Sequence, residues 1–181
     1  MFAASALSTD DHPLRSASQA VAEKDFKKAF ELWLPIAERG DPRVQEWIGD
    51  LYRMGQGVER SHAEAKRWYK LSAEAGNSEG ICSFAHLLSI SPDPGVRDGE
   101  VAVVWARRCI DRFDVSETRN TLALALAAAG RFGEAADEQR TAISMFRAGN
   151  FVRGGELVEH ERVYAEQLES FLAREPWFSE I

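Results

Sequence analysis

The chain is poor in the residues that build stapled or metal-bound modules, with two cysteines, Cys82 and Cys109, and four histidines among 181 residues. Two cysteines cannot frame a disulfide-rich secreted module or a four-cysteine zinc site, and the histidines do not stand at metal-ligand spacings. Long apolar runs are missing as well. No stretch approaches the ~20 consecutive apolar residues that span a bilayer, so no membrane span is expected. Positive charge is in deficit: 22 Lys and Arg against 29 Asp and Glu leave a net charge of −7. That balance disfavours nonspecific binding to nucleic acid or to an anionic membrane surface. There is no G-x-S-x-G elbow, phosphate-binding glycine loop or H-E-x-x-H motif, and Gly55-x-Gly57 follows a helical pattern rather than a strand. A catalytic, cofactor-binding or metal-binding role is therefore not expected. Met1 to Ala6 is small and apolar but lacks a charged leader and a long apolar core, so no intact signal peptide is expected, and cytoplasm and periplasm both stay open.

Present in quantity are apolar residues, 45% of the chain, 10% being aromatic, enough for an ordered core. Their arrangement is periodic. Ala29-x3-Trp33-x3-Ala37-x2-Gly40-Asp41 recurs 36 residues later as Ala65-x2-Trp68-Tyr69-x3-Ala73-x2-Gly76-Asn77. A weaker copy sets Val96-Arg97-Asp98 and Trp105 where Val58-Glu59-Arg60 and Trp68 stood, so the period is 36 to 38 residues. Self-similarity at this interval marks a repeat architecture.

Each period reads as two helices. Val44, Trp47, Ile48, Leu51 and Tyr52 make a helical stripe over Pro42 to Met54, with Asp41 as cap and Pro42 in the first turn. Gly55-x-Gly57 ends it, and Ser61-His62-Ala63-Glu64 predicts a capping box opening a second helix that stops at Gly76-Asn77. Another hairpin is predicted from Thr118 to Ala129 and from Phe132 to Ala148, with Leu122, Ala123, Leu126, Phe132, Ala135 and Ala142 spaced for close helix packing. A last helix over about 156–174 has one apolar and one charged face, the composition of a terminal cap. The Trp177-Phe178 tail behind Pro176 either packs back on that cap or stands free for a partner.

The run Ile48-Gly49-x2-Tyr52-x2-Gly55-x-Gly57-Val58-x6-Ala65-x2-Trp68-Tyr69-x2-Ser72-Ala73-x2-Gly76 resembles the Sel-one-like repeat almost position for position. Leu32-Trp33-x-Pro35-Ile36-Ala37-x2-Gly40-Asp41 is similar to the closing helix that precedes such a repeat, and Ala123, Gly130-Arg131-Phe132 and Glu134-Ala135 resemble the related tetratricopeptide repeat. Together these cover residues 14 to 148. The third copy departs: Leu88 replaces the Tyr, and Ser91-Pro92-Asp93-Pro94-Gly95 replaces the Gly-x-Gly turn, predicting a longer and stiffer hairpin.

The resemblance implies an all-α fold, a right-handed α-α superhelix of about four hairpins with a C-terminal capping helix. The organisation expected is a flexible N-terminus over 1–12, the repeat domain over 13–148, and the capping helix with its aromatic tail over 149–181. It further implies a protein-interaction module, adaptor or scaffold, that binds a protein or peptide in the concave face lined by the first helices. Two other readings go with the same fold: an immunity or inhibitor protein neutralising a bacterial toxin or effector, and a structural subunit of an envelope assembly. The net charge suits a basic partner; the oligomeric state is not legible.

By analogy the groove positions are Arg43, Glu46, Trp47, Asp50 and Arg53 in the second repeat and Glu79, Cys82, Ser83 and His86 in the third. Trp47 stands where the repeat usually carries a polar residue. It is either an exposed anchor, worth about 2 kcal/mol or more to an interface, or a residue packed on the first hairpin. Trp33, Trp68 and Trp105 recur on the second helices and read as core. Cys82 and Cys109 sit at similar heights in one hairpin, either as two half-buried thiols, the commoner arrangement, or as a disulfide where the compartment is oxidising. His62 and His160 lie on charge-rich faces and are expected at the surface.

Overall fold

The computed structural model describes residues 11–149 and 156–177. Among them lie nine helices and no strand: α1 (Asp11–Ala22), α2 (Phe26–Glu38), α3 (Pro42–Met54), α4 (His62–Glu74), α5 (Ser78–Ile90), α6 (Gly99–Ile110), α7 (Ser116–Ala128), α8 (Phe132–Gly149) and α9 (Glu156–Leu172). Consecutive helices pack as antiparallel hairpins. In addition α3 packs on α5 and α5 on α7, so the first helices of successive hairpins lie side by side as one layer. This is the expected all-α solenoid of four hairpins and a closing helix.

Short polar side chains set where helices begin. Asp25, Ser61, Asn77 and Asp98 accept from the backbone amides of Lys28, Glu64, Gly80 and Val101, and Asp41 accepts from those of Arg43 and Val44, each satisfying amides that the helix leaves free. The predicted capping box at Ser61 is only half formed. Ser61 Oγ accepts from the Glu64 amide at 3.2 Å, but the Glu64 carboxylate turns to Arg67 at 3.0 Å. The Ser61 amide donates instead to the Tyr52 carbonyl at 2.9 Å, tying α4 back to α3. The divergent third hairpin closes the same way, with the Asp98 amide donating to the Leu88 carbonyl at 3.0 Å. Its longer turn is braced by Lys66, whose Nζ donates to the carbonyls of Gly95 and Val96, and it stacks on both neighbours.

Two repeat glycines mark where backbones meet. A Cβ on Gly49 would lie 2.5 Å from the Tyr69 ring, so glycine lets α4 lay its tyrosine on α3. Gly57 has φ +72° and would put a Cβ 2.4 Å from the Phe26 carbonyl carbon, pressing the second hairpin's turn against the first hairpin.

The core is a chain of clusters. One joins Ala17, Ala20, Ala29, Trp33, Ile36, Val44, Ile48, Leu51 and Trp68; a larger one runs from Ala65 and Tyr69 through α5, α6 and α7 to Phe171; a third holds Ala142, Ile143, Phe146 and Tyr164. Serial clusters are what a stack of repeats produces. Packed against α5, α6 and α8, α7 is buried continuously from Thr121 to Ala127, which is why its sequence shows no clean polar face. Gln139, fully buried, donates to the Tyr164 carbonyl and to Gln167 and so fixes α9 on α8. Trp177 packs back against the large cluster, while Phe178 and residues 1–10 lie outside the described residues. Cys82 and Cys109 form a disulfide between α5 and α6 rather than two thiols. Burying Cys109 completely against its α5 partner brings the two sulfurs together. His62 is half-buried, its Nδ1 3.3 Å from Ser91 Oγ, because the long third turn folds over it.

Candidate functional site

The layer formed by α3, α5 and α7 carries two adjoining cavities. The first, of about 370 Å³, lies between α1, α2 and α3 and is walled by Val21, Phe26, Trp33, Trp47, Leu51 and Met54, with Ser18, Asp50 and Gln56 at its edge. The second, of about 290 Å³, is polar and is lined by Asp50, Arg53, Tyr69, Cys82, Ser83, His86, Glu117, Thr118 and Thr121. Asp50 belongs to both, so one carboxylate forms the partition between an aromatic cavity and a polar one.

Helical spacing on α3 produces this. Trp47, Asp50, Arg53 and Met54 stand one turn apart along one side of the helix. Trp47 is half-buried, its ring 4.9 Å from that of Trp33 at 40°, so it both packs on the first hairpin and lines the aromatic cavity. Trp33, read from the sequence as core, is 7% exposed and contributes to that wall. Met54 is 45% exposed.

In the polar cavity Arg53 and Tyr69 organise the floor. Tyr69 Oη donates to Asp50 at 2.6 Å, while Arg53 Nε donates to Tyr69 Oη at 3.1 Å and Nη2 lies 3.4 Å from the same Asp50 oxygen. Burial and the neighbouring Asp50 charge raise the Tyr69 phenol far above its ordinary range. Burial works against the Arg53 charge, but Tyr69 and Asp50 outweigh it and keep the guanidinium protonated. His86 is half-buried, and desolvation followed by the Arg53 charge pushes it down to about 4, so it is a neutral imidazole at physiological pH.

Glu46 is 8% exposed and accepts from Ser83 Oγ at 3.0 Å across the α3–α5 contact. Desolvation, then repulsion from Asp50, with a further contribution from Glu79, lifts it from 4.5 to about 7, against the opposing Ser83 bond and Arg53 charge. It lies behind the surface rather than on it. Arg43 is exposed and tied to Asp41, and Glu79 is exposed at the start of α5; both flank the cavities without lining them. Of the groove residues read from the sequence, the structure thus brings Trp47, Asp50, Arg53, Cys82, Ser83 and His86 into the two cavities.

Missed were Glu117, Thr118 and Thr121 on α7 and Tyr69 on α4. The first and last of the α7 set were reachable: moving Glu79 and Ser83 forward by 38 residues, the upper end of the repeat period, lands on Glu117 and Thr121. Tyr69 belongs to the repeat signature, and its role became visible only once Gly49 placed its ring across α3.

Ion pairing differs from helix to helix. Acids on α4 and α8 are neutralised locally, Glu64 by Arg67, Glu74 by Lys70, Glu134 by Arg131, Asp137 by Arg140 and Glu138 by Arg119. On the α3–α5–α7 layer, Glu46, Glu79 and Glu117 have no ion-pair partner among the described residues. Among those residues no group of His, Cys, Asp and Glu is arranged to hold a metal, and no helix is long and apolar enough to cross a membrane.

Comparison with known proteins bears on the fold alone. A family model described as Sel1 repeat matches residues 19–41 and 42–77. Among solved structures, the chain is similar to a protective antigen of uropathogenic Escherichia coli strains displaying an SLR fold. The two share 21% identity over 88% of this chain and 38% of that one, with a TM-score of 0.60. It is also similar to a Sel1 repeat protein from Oxalobacter formigenes, at 16% identity over 80% of this chain and 64% of that one, with a TM-score of 0.49. The chain therefore spans 38% of the first protein's length and 64% of the second's. No curated protein matches it.

Proposed function

Since the chain is a Sel1-type, tetratricopeptide-like helical-repeat protein, we propose that it is a protein-binding adaptor whose α3–α5–α7 face receives a segment of a partner. The observation that carries this reading is the coincidence on one layer of the aromatic cavity, the polar cavity and acids without ion-pair partners. The helices that hold this face are fixed on both sides by their neighbours, so little conformational freedom is lost when a ligand docks. The exposed carboxylates of Glu79 and Glu117, without ion-pair partners among the described residues, favour a basic partner and speed its approach.

Photo-crosslinking tests the placement. A benzoylphenylalanine at position 54, on the wall of the aromatic cavity, captures the partner, and the same probe at position 71, on the exposed side of α4, does not. Capture from position 71 alone overturns the assignment of the face. A crosslink from position 54 to a second copy of the chain replaces the adaptor by a self-assembling subunit. Trp47→Ala weakens partner binding about tenfold, in line with the loss of an aromatic anchor.

A further inference from the structure

The polar cavity has a hydrogen-bonding polarity that restricts what it accepts. Every hydroxyl hydrogen on its walls is already committed inside the protein. Tyr69 donates to Asp50 at 2.6 Å, Ser83 to Glu46 at 3.0 Å, Thr118 to the Phe113 carbonyl at 2.6 Å and Thr121 to the Glu117 carbonyl at 3.0 Å. Tyr69 Oη already accepts from Arg53 and Thr118 Oγ1 from the Val115 amide, so the acceptor capacity left on these hydroxyls is that of Ser83 and Thr121. Glu117 adds an exposed carboxylate without an ion-pair partner among the described residues. Hydroxyls with committed hydrogens beside a carboxylate suit a group with several N–H donors and no acceptor, which describes a guanidinium or ammonium. Arg53 places two of its five N–H groups on Tyr69 and Asp50 and so neutralises Asp50 locally, which leaves Glu117 as the carboxylate that pairs with a basic ligand.

Beyond the Asp50 partition the environment changes to Trp33, Trp47, Phe26 and Met54. Resting on the reading of this face as a protein-binding surface, we propose that the two cavities form one composite site for a peptide carrying an aromatic residue next to a basic one. The aromatic ring enters between Trp47 and Met54, and the basic side chain crosses Asp50 to reach Glu117. Trp47 and Arg53 are about one and a half turns of α3 apart, on the order of 9 Å, so the two ligand residues stand one to three positions apart in an extended segment.

The arrangement also links binding to a proton. Glu46 sits behind the partition, facing Asp50 and Arg53 on its own helix and Ser83 and Glu79 on α5, with Tyr69 reaching Asp50 from α4. Burial is the larger cause of the raised Glu46 carboxyl and repulsion from Asp50 the next; a cation crossing Asp50 weakens that repulsion, so near pH 6.5 binding releases part of a proton.

The test uses the full chain and blocked synthetic peptides in which Phe and Arg are separated by zero, one or two glycines, compared with Phe→Ala, Arg→norleucine and Arg→Glu versions. Binding is followed by calorimetry. At least one Phe/Arg spacing binds about tenfold more tightly than either singly changed peptide, and Arg→Glu abolishes it. Glu117→Gln, at an exposed position, weakens the Phe/Arg peptide about fivefold and leaves the Arg→norleucine peptide unchanged. At pH 6.5, calorimetry in two buffers of different ionisation enthalpy reads proton release, and Glu46→Gln abolishes it without abolishing binding. Equal affinity for the Arg and Glu peptides, or no binding by any member of the panel, overturns the composite site. If crosslinking from position 54 still captures a partner in that case, the binding face stands and only its ligand chemistry falls.

Discussion

Glu46→Gln separates the electrostatic cost of a buried acid from every other property of its position. Gln has nearly the same shape and still accepts from Ser83 Oγ, so packing and the α3–α5 bond are kept. What disappears is the charge. In the folded chain the carboxyl is lifted from 4.5 to about 7 by burial and by Asp50 and Glu79. Between those values the folded state holds a proton that the unfolded chain has released, so stability falls as pH rises through the interval. The contribution is fully present below about pH 4.5 and is gone above about pH 7. At 1.36 kcal/mol per factor of ten, the difference amounts to roughly 3 kcal/mol, or about 6–12 °C in midpoint for a chain of this size. Urea and thermal unfolding of both proteins from pH 4.5 to pH 8 measures it, with tryptophan fluorescence as the probe. The gap between Gln and Glu opens in favour of Gln as pH rises and levels off above pH 7. A gap that is constant with pH makes Glu46 an ordinary solvated carboxylate, and one that widens toward acid means its carboxyl is lowered in the fold; either result refutes the reasoning.

Three further outcomes follow from features elsewhere in the fold. Gly57→Ala combines a φ of +72° with a Cβ 2.4 Å from the Phe26 carbonyl carbon, and it lowers stability by about 2 kcal/mol or more in a denaturation curve. Gly130→Ala, at φ +75° with nothing within 4 Å, costs about 1 kcal/mol by the same measurement. Reducing Cys82–Cys109 frees a loop with a sequence separation of 27 residues and removes about 3–4 kcal/mol on the loop-entropy account. A thermal melt with and without dithiothreitol, checked by Cys82→Ser, reads this as a lower midpoint.

Much of the architecture was legible because the signals that carried it are local. Asp41-Pro42, Ser61 and Gly76-Asn77 punctuate the chain at the observed helix ends, and the 36-residue shift identified the stacked hairpins. Tertiary features were less legible. From sequence Trp47 reads as core or as exposed anchor; the structure packs it on Trp33 and also sets it in the cavity wall, because a helix in a solenoid presents one flank to its neighbour and the next to the groove. Glu46 was read as a groove contact, yet α5 closes over it; nothing in its own helix reveals that Ser83 arrives from the next repeat. The half-formed capping box failed for a similar reason, since the free amide of Ser61 was claimed by the preceding helix. Pairing of Cys82 with Cys109 depends on how α5 and α6 are rotated, which spacing along the chain does not encode.

The bond from the Ser61 amide to the Tyr52 carbonyl, repeated as Asp98 to Leu88 across a turn of different length and composition, joins backbone to backbone. A latch of that kind is indifferent to which side chains lie between its two halves. The connecting segments within hairpins can therefore diverge in length and sequence without disturbing the helical stack, and the stretch from Ser91 to Arg97 already does so. For an engineer this makes the exposed tip of the third hairpin's turn, remote from Gly57 and Gln56, the place to insert a tag, a reporter or a second binding loop while the groove is left as it is.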